Sequence, residues 1–506
     1  MKKEAVASFP SYRKTLLLIH HKIKIRSCMM ETMITEKTIT FKELEKKIYK
    51  EICDAGCQAL AAFLEEYDKE LRDKRDKTVY RNKGRRATTI KTVMGEVTFR
   101  RTLYRVKDEG GITHSVYLLD ETLGLRRIGL FSENYAEKLV SGITTKSYRD
   151  CAKEVSETTG QSVSAMGVWN AVQKMGEKVC REEELLVEKH RKGQLQGELE
   201  PPVLFEESDG VNISIQRESK ERNKGVKAEM KVAIAYDGWK KDSNERYRLN
   251  NKVAFAGFAE ARDFHRIREA KINQIYNTDE IKHRILNGDG AAWIKNVPEK
   301  ETVFQLDPFH RNKAVREKIP YKKAQRDVFS FLRDGDIDGL FQYLEIYRDS
   351  LTDENETESA EELIRYFEEN RNGLLPYQEQ SPDIPEKTEG RLYRNMGTME
   401  GHIWSIIAKR MKHNHTSWSR RGANHLAKIL AKKCEGKLDE VTAKIEAPCF
   451  DEELIEDEFV EVWSAAKAPK YDGKGYEYPV QGSIVAGAGA IKGAPGALLR
   501  IAGMQI

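Results

Sequence analysis

The chain has 506 residues, with 86 Lys/Arg against 81 Asp/Glu and a mean hydropathy of −0.65, which excludes a membrane-embedded or low-complexity protein and leaves room for about three domains. The longest early apolar run, Leu16 to Ile19, is too short for a signal core or a membrane span. Seven cysteines without paired spacing exclude a disulfide framework and suit a reducing, cytoplasmic compartment.

The net charge of +5 is unevenly placed: residues 1 to 150 hold 31 Lys/Arg against 21 Asp/Glu, so the remainder is acidic. Between Arg72 and Lys107, 13 basic residues meet only three acids, and Arg81, Lys83, Arg85 and Arg86 fall within six positions. A merely solvated face mixes both signs, whereas a one-signed stretch suits a phosphate backbone, whose neutralisation releases counterions. These four residues are therefore expected to bind DNA.

In chain order, residues 1–29 read as a disordered extension, with Met29 and Met30 offering an alternative start. Residues 30–130 form the basic N-terminal region. Leu44, Ile48, Ile52, Leu60, Phe63 and Leu64 predict an amphipathic helix from Phe41 to about Leu71, and Cys53 and Cys57, one turn apart with no second metal-ligand pair, read as part of it. Thr89 to Tyr104 alternates as a β-hairpin turning at Met94-Gly95-Glu96.

Residues 131–200 predict a helix-turn-helix-like DNA-binding region and a linker. Ser147 to Thr159, a turn at Gly160-Gln161-Ser162, and Val163 to Met175 have that layout, and Trp169, Asn170 and Gln173 of the second helix are the expected base readers. A plain helix pair joined through glycine is the alternative. The charged stretch Arg181 to Glu200, a helix or a linker, ends at Pro201-Pro202, where the main boundary is placed.

From 201 to 319, strand-like runs at Val203 to Phe205, Ile213 to Gln216, Met230 to Tyr236, Val253 to Phe258, Ile285 to Leu286 and Val303 to Leu306 predict an α/β mixed sheet, three strands in meander and then strand-helix alternation. Residues 320–390 read as a helical insertion, 391–450 as the last helices of the core, and 451–506 as an acidic, then Gly/Ala-rich tail.

Three acids could carry chemistry. Asp209 and Asp289 are expected at strand ends beside glycines, with turn chemistry as the alternative. Glu400 shares a helical face with Ile403, Trp404, Ile407 and Met411, which predicts a carboxylate at the core's edge, either metal-bound or ion-paired to Arg394 or Arg410. Carboxylates that converge repel one another unless a divalent cation sits among them. Mg²⁺, or Mn²⁺ in its place, suits oxygen ligands, and a pair of ions suits phosphoryl transfer.

The sequence resembles bacterial insertion-sequence transposases of the ISLre type, similar to the Mutator-like group. The residues that carry the resemblance are Glu207-Ser208-Asp209-Gly210, Asn287 to Ile294, Gln305 to His310, Gly397 to His402, Trp418-Ser419 and Gly422-Ala423-Asn424, spread over about residues 40 to 470. The resemblance implies an RNase H-like core with a DDE triad, Asp209, Asp289 and Glu400, as catalytic residues and ligands of two metal ions. It assigns Asp307 to site support and His310 to site support or DNA positioning, with helix capping the alternative for Asp307. It further implies cleavage of terminal inverted repeats, transfer of the freed 3′ hydroxyl to target DNA, a homodimer or larger assembly, and a nucleoid-associated location. An RNase H-like nuclease without strand transfer, or a non-catalytic DNA-binding regulator, are the competing readings.

Overall fold

A computed structural model describes residues 40–107, 111–123, 131–216, 226–297, 302–388, 390–412 and 416–442. The proposed 1–29 extension and 451–506 tail lie outside the described residues.

The first element is the helix Phe41–Lys74, opened by a capping box in which Thr40 and Glu43 bond each other's backbone amides. Its second half packs Cys57 and Leu64 on a small antiparallel sheet of β1 (Arg81–Lys91), β2 (Glu96–Lys107) and β3 (Thr113–Tyr117). Buried Asp68 ties the two together, accepting from the Thr102 amide at 2.9 Å and its hydroxyl at 2.7 Å. The first half differs from expectation. Ile48 and Ile52 are exposed, because the sheet reaches only the later turns.

The central sheet is built from β4 (Val203–Ile215), β5 (Val226–Tyr236), β8 (Val253–Gly257), β9 (His283–Gly288) and β10 (Thr302–Leu306) in the spatial order β10-β9-β4-β5-β8. β4, β5 and β8 form an antiparallel meander, and β9 and β10 add in parallel on the far side of β4. The mixed α/β sheet expected from the strand pattern is present. The runs at Val203 and Ile213 are one strand rather than two, because β5 pairs with β4 along its whole length from Phe205 to Ile215.

Both faces of β4 are covered, so it is buried almost throughout. Val203, Phe205, Val211 and Ile213 point into the largest apolar cluster, while Leu204 points to a second one with Phe264 and Ile272 of the helix Ala261–Ile275. The largest cluster also contains Leu139, Val155, Val168, Val172 and Val179 from the helices before Pro201 and Leu426 and Leu430 from the helix Arg420–Glu435. Of the two forms expected for the charged stretch after Arg181, the structure shows the helix, up to Arg191. The stretch continues the helix Ala165–Arg191, which packs across the helix Ala261–Ile275.

Between β10 and the last helices, the helices Lys322–Asp334, Ile337–Asp349 and Glu354–Glu369 close their own apolar cluster around Val328, Leu344 and Phe367. Short strands β6 (Trp239–Lys241), β7 (Tyr247–Leu249), β11 (Lys387–Thr388) and β12 (Arg391–Leu392) form a third sheet, which periodicity did not foreshadow because each strand is two or three residues long. Among the described residues no helix is long and apolar enough to cross a membrane.

Candidate active site

Side chains alternate along a strand, so Glu207 and Asp209 share the face of Val203, Phe205 and Val211. Asp209 does not close the strand as expected. Its parallel neighbour β9 ends instead, with Gly288 opposite Ser208, and Asp209 stands at the open end of that pair beside Asp289. Asp209 is 8% exposed, and burial pushes its carboxyl up to about 6. The Asp289 and Glu400 carboxylates add to the rise, while His310 and the Gly210 amide oppose it.

Asp289 is half-buried in the turn after β9, where its Oδ1 accepts from the Ala291 amide at 2.9 Å. The insertion fixes this turn: the Tyr366 hydroxyl donates to the Asp289 carbonyl at 2.8 Å. Gly290 has φ +91°, and a Cβ there would stand 2.5 Å from the Asn370 amide oxygen, so only glycine fits.

Asp307 caps the helix Pro308–Lys318, its Oδ2 accepting from the amides of Phe309 at 3.1 Å and His310 at 3.2 Å. Asp307 thus holds the turn that carries His310. The His310 Nε2 lies 3.7 Å from Asp209 Oδ2. Ligand atoms of Asp209, His310 and Glu400 all lie within 4.8 Å of one another, a spacing that could hold a metal ion. The close set is therefore Asp209, His310 and Glu400, with Asp289 as its electrostatic neighbour on the adjoining strand end.

Glu400 is exposed, contrary to the expectation of a carboxylate at the core's edge. The helix Met399–Ile403 widens into a π-turn at Trp404–Ala408, and this shifts Ile407 and Met411 out of the straight helical register counted from Glu400. Met399, Ile403, Ile406 and Ile407 are buried, while Trp404 is 52% exposed. The arginines considered as partners are engaged elsewhere: Arg410 donates to the Ile143 carbonyl and Arg394 stacks over Tyr247.

What places Glu400 is Glu207, a residue for which sequence reasoning assigned no role. Its Oε2 accepts from the amides of Gly397 at 3.1 Å, Thr398 at 2.8 Å and Met399 at 3.2 Å, and Oε1 accepts from the hydroxyls of Thr398 at 2.6 Å and Tyr236 at 2.8 Å. Burial raises this carboxyl above the usual range, and the two hydroxyls oppose the rise. Asn287 extends the network, donating to Glu207 Oε2 at 3.2 Å and Asp307 Oδ1 at 2.8 Å while accepting from Gln305 at 3.0 Å. One buried polar floor thus joins the strand of Asp209 to the helices of Glu400 and His310. The available signal was strand period, since Glu207 lies two positions from Asp209 on an otherwise apolar face.

Arg81, Lys83, Arg85 and Arg86 lie on exposed β1, which carries a register irregularity between Asn82 and Arg85. Arg85 makes an ion pair with Glu65 at 3.0 Å. The two helices of the expected helix-turn-helix, Tyr148–Thr159 and Ala165–Arg191, are joined through left-handed Gly160. Trp169 and Asn170 are exposed. Gln173 is not: it is 7% exposed and accepts from His425 Nδ1 at 2.8 Å, because the helix Arg420–Glu435 covers that face. Its side chain is unavailable for base reading.

Comparison with known proteins gives a consistent kinship. Residues 34–445 match the model of an uncharacterised protein family, UPF0236. Two UPF0236 proteins of Caldanaerobacter subterraneus subsp. tengcongensis are each 27% identical over 416 residues, covering 81% of this chain and 79% and 80% of their own lengths. A third from the same organism is 26% identical, again over 81% of this chain and 79% of its own. The chain belongs to the UPF0236 family.

Proposed function

We propose that the protein is the DNA transposase of an insertion sequence, an RNase H-like enzyme that cleaves and joins phosphodiesters through Asp209, Asp289 and Glu400, with His310 in support. The observation that carries the reading is the convergence, at the end of two parallel strands, of Asp209, His310 and Glu400, far apart in sequence and beside Asp289, around a carboxyl that burial pushes up to about 6. Carboxylates crowd in this way where a cation balances them.

Other features support it. A three-strand meander continued by two parallel strands suits an RNase H-like core, and the last acid arrives from a helix that follows a helical insertion. The name of one of these relatives joins eleven locus designations, which suits a gene carried in many copies.

The donor set, carboxylates and one imidazole, fits Mg²⁺ or Mn²⁺. Bound there, a pair of such ions would activate the attacking oxygen and stabilise the leaving one. The protein's part is to fix the donors. Glu207 pins the turn before Glu400, Asp307 caps the helix of His310, and Asn287 ties both to the sheet. DNA would be held through β1 and read by Trp169 and Asn170, and bringing two element ends together calls for a homodimer or larger assembly.

The test is incubation with a duplex carrying the terminal inverted repeat of the protein's own element. Cleavage leaving a 3′ hydroxyl in Mg²⁺, and none in EDTA, is the expected result. Cleavage that persists in EDTA would overturn the metal-dependent reading.

A further inference from the structure

A cleft of about 960 Å³ lies behind the Glu400 helix, walled by β7, by the start of β8 and by the end of the helix Arg420–Glu435. Seven Lys or Arg side chains and two Glu line it. Two of the cations are neutralised: buried Lys271 meets Glu435 at 3.1 Å and half-buried Lys432 meets Glu440 at 2.8 Å.

Three others are held by uncharged groups. Lys252 Nζ lies 3.4 Å from His402 Nε2, and the His402 Nδ1–H donates to the Thr398 carbonyl at 2.9 Å, which leaves Nε2 to accept. The Arg394 guanidinium stacks 3.6 Å over the exposed Tyr247 ring. Lys433 donates to the Thr144 hydroxyl at 2.8 Å. Among the described residues none of the three forms an ion pair. Each is positioned, and its charge is left unspent.

We propose that this cleft is a track for the phosphodiester backbone of DNA, contacted by Lys252, Arg394 and Lys433 and leading to the acid cluster. The inference rests on the DNA reading above. Thr398 and His402 lie one turn apart on the cleft side of the Glu400 helix, and Glu400, midway between them, projects to the other side. A helix with its side chains is about 10 Å across, and a DNA strand advances about 3.4 Å per nucleotide along its axis, so about three nucleotides separate the cleft from the acids. A stacked guanidinium presents its fork in a fixed direction, the geometry that phosphate oxygens accept in pairs.

The experiment measures binding of the full chain to a labelled duplex across a salt series, comparing wild type with Lys252→Gln/Arg394→Gln/Lys433→Gln. A charge-matched control, Lys322→Gln/Lys323→Gln/Arg326→Gln, alters an exposed helix face elsewhere. Loss of three phosphate contacts is expected to make the slope of log affinity against log salt shallower by about 2 to 3, with the control unchanged. The single variant Arg394→Gln, at an exposed position, should lower the slope by about 1 and guards against a misfolded triple variant. An element-end duplex and an unrelated duplex run in parallel separate element DNA from target DNA, and a matching loss on either supports the track. Wild-type binding with an unaltered slope in both variants overturns the cleft while leaving the transposase reading standing. A wild type that binds no DNA overturns the track and the transposase reading together.

Discussion

The carboxylate of Glu207 and the amide of Thr398, 191 residues apart in sequence, meet at 2.8 Å in the protein interior, and that bond fixes the turn from which Glu400 emerges. Glu207→Ala leaves three amides and two hydroxyls unpaired in a buried site. It is expected to destabilise the fold by about 3–5 kcal/mol in urea unfolding, and to weaken Mn²⁺ binding by more than the loss of folded protein accounts for. Mn²⁺ affinity equal to wild type would show that Glu400 needs no such anchor.

Asp209 offers a pH test. Its carboxyl is raised to about 6 from an ordinary 3.8, so the folded state binds this proton more tightly than the unfolded state does. The ionised group therefore opposes folding above about pH 6, and the penalty is relieved as pH falls from 6 toward 4. Asp209→Asn should stabilise the metal-free protein by about 1–3 kcal/mol at pH 7.5, gain nothing at pH 4, and abolish cleavage. Equal stability of the two proteins at pH 7.5 would contradict a carboxyl raised by burial at this position.

The basic strand offers a charge test. Replacing Arg81, Lys83, Arg85 and Arg86 with Gln should weaken DNA binding and lower its salt slope by about 3, since Arg85 is partly occupied by Glu65. Cleavage rate at saturating DNA should be unchanged. A slope equal to wild type would move the footprint off β1.

The helix after Gly160 separates reading from packing. Trp169→Ala and Asn170→Ala should reduce the preference for the element's end over unrelated DNA while the melting temperature holds. Gln173→Ala should instead cost about 1–2 kcal/mol, because His425 loses its buried partner, and leave that preference intact. The opposite pattern would reverse the assignment of faces.

The sheet was legible because apolar runs such as Met230 to Tyr236 and Val253 to Phe258 carry strand composition whatever surrounds them. The continuity of β4 through Ser208-Asp209-Gly210 was not, since that tripeptide has turn chemistry and only pairing with β5 keeps it extended. Asp209, Asp289 and Glu400 could be singled out from residue type and resemblance. The exposure of Glu400 could not, because a π-turn leaves no mark on a count of 3.6 residues per turn. The burial of Gln173 depends on His425, 252 positions later, and Glu207 looked like one acid in a pair until Thr398 was beside it.

The most direct measurement sets Asp209→Ala, Asp289→Ala and Glu400→Ala beside wild type, with cleavage of the element-end duplex in Mg²⁺ and binding of the same duplex read on each protein. Binding within about two- to threefold of wild type, with cleavage lost in all three, is the predicted result; a change of that size is under 1 kcal/mol. Wild-type cleavage by any of the three would contradict the assignment of these acids.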